Sequence, residues 1–181
     1  MYEVEVKVAA DLDAVATRLD ELGAKQTGDV VQVDTYYDAP HREFAETDEA
    51  LRVRRETRDG ETTARITYKG PLVEAESKTR EEFETGVDDG ETADAIFEQL
   101  GFSPAATVEK DRRFYGYDGY TVTLDAVEGV GEFVEVETET DEAGVEAARE
   151  GAYDVLRELR LDPEEQTRTS YLGLLLGHSH E

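Results

Sequence analysis

Charged side chains recur two residues apart along this chain, in short runs otherwise rich in β-forming residues. Glu3, Glu5 and Lys7 alternate with Val4, Val6 and Val8; Arg52 and Arg54 flank Val53; Arg65, Thr67 and Lys69 interleave Ile66 and Tyr68. Further on, Glu82 and Glu84 flank Phe83, Lys110 shares a parity with Arg112, Thr121 and Thr123 share one with Asp125, and Glu135 pairs with Glu137. A strand sends residues i and i+2 to one face, so each run has a charged face and an apolar one. One such face is ordinarily just wet, but here it recurs in nearly every strand-like run. Sorted by sign, the cations are Lys7, Arg52, Arg54, Lys69, Lys110 and Arg112, with Arg65 and Arg80 as further candidates. The carboxylates are Glu3, Glu5, Glu82, Glu84, Asp125, Glu135 and Glu137. Cations from separate strands can surround a linear polyanion such as a triphosphate, and arginine forks match phosphate oxygens. Clustered carboxylates are a hard-oxygen set suited to Mg²⁺ or Mn²⁺, and metal plus cations is the apparatus of phosphoryl chemistry. The rival reading is a network of structural ion pairs, because an unpaired inward ion costs on the order of several kcal/mol.

Strands must carry these faces, and their spacing fixes an order. After Tyr2–Val8, Asp11 caps a helix striped by Leu12, Val15, Leu19 and Leu22 and stopped by Gly23. Strands follow at Val30–Tyr37 and Ala50–Arg55, then across an Asp59-Gly60 hairpin at Thr63–Lys69. Phe44–Glu49 and Leu72–Lys78 read as loops. The pattern then restarts: a strand at Arg80–Val87, a helix from Glu91 or Thr92 carrying Ile96, Phe97 and Leu100 to Gly101, and strands at Thr107–Tyr117, Thr121–Asp125 and Phe133–Thr138. Strand, helix ending in Leu-Gly, then three strands, twice over, is an internal duplication. Polar residues at alternate positions of nearly all strands favour a closed antiparallel barrel with a charged lumen. The expected class is thus α+β, an eight-stranded barrel from two βαβββ-like halves with helices outside. One domain over residues 1–181 is expected, with halves at 1–78 and 79–140 and a helical segment at 141–181. In that segment Asp141 caps a long helix bearing Val145, Ala148, Ala152, Val155, Leu156 and Leu159. The apolar run Thr169–Leu176 packs on the barrel's outside or on one mouth. His178 and His180 are metal-capable types but read as a frayed terminus.

Composition narrows the partners. The formal charge of −26, from 45 Asp+Glu against 19 Lys+Arg, repels nucleic acid and anionic membranes at long range. Acidity spread over the whole chain fits a surface adapted to high salt. Cysteine is absent, which excludes disulfides, iron–sulfur clusters, thiolate zinc sites and cysteine nucleophiles. No apolar run approaches spanning length and the N-terminus is a charged strand, so the expected compartment is the cytoplasm. Lysines occur only at Lys7, Lys25, Lys69, Lys78 and Lys110, mostly in or beside strands. A chain this acidic that keeps cations in its strands fits one that keeps them for an anion.

The ordered set resembles the CYTH superfamily, the triphosphate tunnel metalloenzymes, which includes class IV adenylyl cyclases and thiamine triphosphatases. Glu3-Val4-Glu5-Val6-Lys7 is similar to the family's ExExK opening. Leu51-Arg52-Val53-Arg54, Thr67-Tyr68-Lys69-Gly70, Arg80-Glu81-Glu82-Phe83-Glu84, Lys110-Asp111-Arg112, Leu124-Asp125-Ala126-Val127 and Gly131-Glu132-Phe133-Val134-Glu135-Val136-Glu137 follow in family order, with a compatible Ser170-Tyr171-Leu172 near the end. The resemblance implies an eight-stranded tunnel in which Glu3, Glu5, Asp125, Glu135 and Glu137 hold Mg²⁺ or Mn²⁺, with Glu5, Asp125 and Glu137 as the catalytic residues. It implies that Lys7, Arg52, Arg54, Lys69, Lys110 and Arg112 grip a nucleotide or inorganic triphosphate, supported by Arg80, Glu82 and Glu84. Chain length and the Lys78–Glu84 and Lys110–Arg112 stretches look closest to the class IV cyclase branch, whose members are commonly homodimers. Three activities follow from it: cyclisation of ATP to cyclic AMP and pyrophosphate, hydrolysis of inorganic, thiamine or nucleoside triphosphate, or binding without turnover. The complete carboxylate set weighs against the last.

Overall fold

The first strand shows how alternation becomes architecture. β1 (Tyr2–Ala9) turns Val4, Val6 and Val8 outward, each no more than 1% exposed, and Glu3, Glu5 and Lys7 inward. The computed structural model describes residues 1–177, so His178 and His180 lie outside the described residues. Seven further strands follow: β2 (Lys25–Asp38), β3 (Ala50–Arg58), β4 (Glu61–Lys69), β5 (Lys78–Val87), β6 (Ser103–Tyr117), β7 (Tyr120–Val127) and β8 (Gly131–Thr140). All neighbours are antiparallel, and the sheet closes in the order β1-β5-β4-β3-β2-β6-β7-β8. The expected eight-stranded antiparallel barrel is therefore present. Two of its hairpins turn on Asp-Gly pairs with both residues at positive φ, 52° and 80° at Asp59-Gly60 and 50° and 81° at Asp118-Gly119. That backbone matches the twist of the flanking strands, and glycine adopts it without a steric penalty.

The seam at β1 is uneven. β1 pairs with β8 along its whole length, from Tyr2↔Thr140 to Ala9↔Phe133, but with β5 only from Tyr2↔Glu81 to Glu5↔Lys78. Where β5 is missing, the Lys7 carbonyl accepts instead from the Thr167 N–H at 2.8 Å. A C-terminal segment thus takes over part of the barrel wall.

The apolar core lies outside the barrel. Leu12, Val15 and Leu19 of α1 (Leu12–Glu21) and Ala152, Val155 and Leu156 of α4 (Val145–Glu158) pack on Val6, Val8, Val122, Val134 and Val136. Burying each such Val or Leu contributes roughly 1.5–3 kcal/mol, so the lumen is left free to be polar. A second cluster joins Tyr37, Leu51 and Val53 to Ala93 of α3 (Gly90–Gln99). α3 starts earlier than the sequence suggests, because the Asp89 carboxylate accepts from the Glu91 N–H and caps it. Of its expected apolar residues Phe97 packs on this cluster, whereas Ile96 and Leu100 are 54% and 64% exposed.

Phe44–Glu49, expected as a loop, contains α2 (Phe44–Thr47), stopped by Asp48 in the left-handed region at φ 59°. A single turn shows no periodicity, and Phe44 is its one buried residue. Asp141 caps a 3₁₀ turn, Glu142–Gly144, that leads into α4. The residues between β4 and β5 are tied down: Arg168 donates to the Glu74 carbonyl at 2.6 Å, and Arg149 pairs with the Glu74 carboxylate at 2.8 Å. α5 (Tyr171–Leu176), capped by Ser170, packs at one end of the barrel with Tyr36, Val108, Val127 and Phe133. No helix among the described residues is long and apolar enough to cross a membrane.

Candidate active site

The inward faces enclose a cavity of about 890 Å³. Lys7, Arg52, Arg54, Lys69, Lys110 and Arg112 all line it, as do Glu3, Glu5, Glu135 and Glu137 and the supporting Arg80, Glu82 and Glu84. Asp125 is fully buried and is engaged by other side chains.

Register brings one group of carboxylates together. Glu5 stands opposite Glu137 across the β1–β8 ladder, and Glu3 is one pleat away. Glu3, Glu5 and Glu137 each bring an oxygen within 4.8 Å of the others. Burial, then the charges of Glu3, Glu135 and Glu5, push the Glu137 carboxyl well above the usual range. Glu5 Oε1 is buried without a hydrogen-bond partner; Lys78 Nζ lies 3.3 Å from it, close enough to attract but not aligned to donate. A hard divalent cation would relieve both conditions, so this trio fits Mg²⁺ or Mn²⁺. Beside it, Lys69 Nζ bridges Glu3 at 2.8 Å and Glu82 at 3.7 Å. Burial raises the carboxyls of both acids, but Lys69 and the contact with Glu82 hold Glu3 well below the normal range, while Glu82 is pushed up to about 7.

The arginines are held by carboxylates. Arg54 forks onto Asp34 at 2.7 and 2.8 Å, and Arg52 Nη1 and Lys110 Nζ approach the same acid at 4.0 and 3.5 Å. Arg112 forks onto Asp125 at 2.6 and 3.1 Å and also reaches Glu135 at 3.2 Å and Gln32 at 3.2 Å. Ion pairing and an open charged cavity therefore coexist: a polyanion would compete with Asp34 and Asp125 for the forks. Lys7 and Lys110 are less satisfied than Lys69. Burial, then Lys78, push the Lys7 ammonium down to about 7, and burial, then Arg112, do the same to Lys110.

Several contributors lie beyond the set read from the sequence. Asp34 shares a parity with Gln32 and Tyr36 on β2, and that alternation was available as a signal. Lys78 sits at the end of a stretch that reads as loop yet is buried against Glu5. Tyr171 comes from outside the strands, and no periodicity points to it.

A closed barrel with a charged lumen and a carboxylate trio on adjoining strands defines a class. The CYTH domain family matches residues 1–171, and the chain belongs to it. A Methanocaldococcus jannaschii protein named "Putative adenylate cyclase" is 38% identical over 176 residues, spanning 96% of this chain and 98% of that one. "Adenylate cyclase CyaB" of Aeromonas hydrophila is 28% identical over 96% of this chain and 88% of its own. A solved Pyrococcus horikoshii structure superposes with a TM-score of 0.91 at 37% identity, covering 97% and 98% of the two chains.

Proposed function

We propose that this chain is a metal-dependent enzyme acting on a triphosphate inside its barrel, and that the reaction is the conversion of ATP to cyclic AMP and pyrophosphate. The observation that carries the proposal is the juxtaposition, in one open cavity, of lysines and arginines from β1, β3, β4 and β6 with the Glu3, Glu5 and Glu137 oxygens. The adenylate cyclase names of two relatives favour the cyclase over other reactions of a triphosphate.

In this proposal Glu3, Glu5 and Glu137 hold the Mg²⁺ or Mn²⁺ ion, which supplies Lewis acidity at the reacting phosphoryl oxygens. Lys7, Arg52, Lys69 and Lys110 place positive charge along the phosphate chain and offset the charge gathering on the leaving pyrophosphate. Arg54 and Arg112 stand at fixed positions because Asp34 and Asp125 hold them, and a bound polyanion draws on their positive charge in competition with those carboxylates. Asp125 and Glu135 act here through the Arg112 fork, and Glu135 stays next to the metal set. Arg80, Glu82 and Glu84 support the wall, with Glu82 able to exchange a proton near neutral pH.

Hydrolysis is the second reading. Arg58 and Arg65, which line the cavity, are exposed, so water reaches the lumen. Product analysis with ATP and Mg²⁺ or Mn²⁺ separates the two. Cyclic AMP with pyrophosphate supports the cyclase; ADP and orthophosphate alone reject it in favour of hydrolysis; no turnover with tight tripolyphosphate binding leaves a binding module.

A further inference from the structure

Tyr171 is the first residue of α5 and belongs to no strand, yet it is only 4% exposed. Its hydroxyl donates to Asp125 Oδ2 at 2.6 Å. That carboxylate already holds Arg112 through both oxygens. The ring of Tyr171 faces two ammonium groups, Lys7 Nζ at 3.9 Å and Lys110 Nζ at 5.0 Å from its centroid. Lys7 donates in addition to the Thr169 carbonyl at 3.1 Å. One short segment therefore touches charged groups carried by β1, β6 and β7.

The type of contact matters. A further carboxylate placed between Lys7 and Lys110, beyond the Asp34 that already lies 3.5 Å from Lys110, would neutralise them and compete with an incoming anion. An aromatic face attracts a cation through its quadrupole, worth about 0.5–2 kcal/mol, and leaves the formal charge unspent. The hydroxyl does the complementary task on the other side, occupying an Asp125 lone pair so that the carboxylate keeps one orientation towards the Arg112 fork. Ring and hydroxyl thus act on different partners, and they can be separated by substitution.

We infer that Tyr171 is a positioning residue for the phosphate grip: its ring sets the Lys7 and Lys110 ammonium groups and its hydroxyl, through Asp125, sets the Arg112 fork. The tunnel's anion site is then completed by the C-terminal segment, not by the barrel alone. This inference rests on the proposal that the lumen binds a triphosphate.

The test measures tripolyphosphate binding without divalent metal by calorimetry, alongside turnover with metal, in wild type, Tyr171→Phe and Tyr171→Leu. Tyr171→Phe keeps the ring and loses only the hydrogen bond to Asp125, so Kd weakens about tenfold and kcat falls with it as the Arg112 fork loosens, the order expected for losing a hydrogen bond to a charged group. Tyr171→Leu lacks both functions, and its Kd weakens by about a further tenfold beyond that of Tyr171→Phe. A split of this kind is not produced by general loosening of α5, which would move both variants alike in proportion to their melting temperatures. Equal Kd and kcat in all three proteins, or equal losses in both variants, overturns the role of Tyr171 while leaving the triphosphate site standing. Failure of the wild type to bind tripolyphosphate overturns the site itself and this inference with it.

Discussion

Glu137 has Glu3, Glu5 and Glu135 as its electrostatic neighbours, and burial and their charges hold its carboxyl well above the usual range. Replacing it with Gln keeps the shape and removes the anionic oxygens of its proposed metal role. Glu137→Gln is expected to lower turnover by more than the roughly 10–100-fold typical of residues behind a metal's ligands, with an unchanged circular dichroism spectrum. Full activity in this variant would remove Glu137 from the metal set. Lys110 gives a second expectation, on pH. Burial, then Arg112, push its ammonium down to about 7, against 10.5 ordinarily. Between those values the unfolded chain holds a proton that the folded protein has lost, so this group's contribution to stability rises with pH across the window and is smallest below about 7. A bound polyanion favours the ammonium, so tripolyphosphate binding at pH 8 without metal takes up protons, seen as a binding enthalpy that varies with the buffer's ionisation enthalpy. Lys110→Arg, which cannot titrate here, is expected to reduce that uptake; an identical uptake would place the proton elsewhere.

At the scale of elements, β2 has the largest effect that its sequence understates. Asp34 is 0% exposed and faces Arg54, Arg52 and Lys110 from two other strands. Removing one partner of a buried ionic cluster typically costs about 3–5 kcal/mol. Asp34→Ala is therefore expected to lower stability by that order in denaturant unfolding, and added tripolyphosphate to recover part of it by replacing the lost negative charge. A variant as stable as wild type would show that Arg54 finds another partner. The same strand shows what a sequence discloses. Alternation along Tyr2–Val8 or Leu51–Arg54 separates lumen from outer core, because parity depends only on the strand's period of two. Parity says nothing of height along the barrel. Glu3, Glu5 and Glu137 gather while Asp125 turns to Arg112, a difference set by register across β1–β8 and β6–β7 that no single strand contains. Tyr171 and α2 lie outside any period: one acts through a point contact, the other is one turn long.

For the molecule as a whole, the fold separates two kinds of charge. Paired charges of both signs line the lumen, and the formal charge of −26 leaves an excess of carboxylates elsewhere. Mutual repulsion of exposed carboxylates opposes the compact state, and salt screens it within about 8–10 Å at moderate ionic strength. The melting temperature is expected to rise on adding KCl up to molar concentration, and a flat or falling curve would reject adaptation to high salt.

The uneven seam at β1 has a consequence for how the protein comes into being. Glu5 is fixed by Glu137 and by Lys78, and the Lys7 carbonyl waits for Thr167. A chain that folds as it is made therefore carries β1 with one edge unpaired until β8, far later in the sequence, has been added. A chain cut short before β8 would lack Glu137 and Glu135 and leave Glu5 without its partner across the seam, so the carboxylate trio can form only after the last strand is in place.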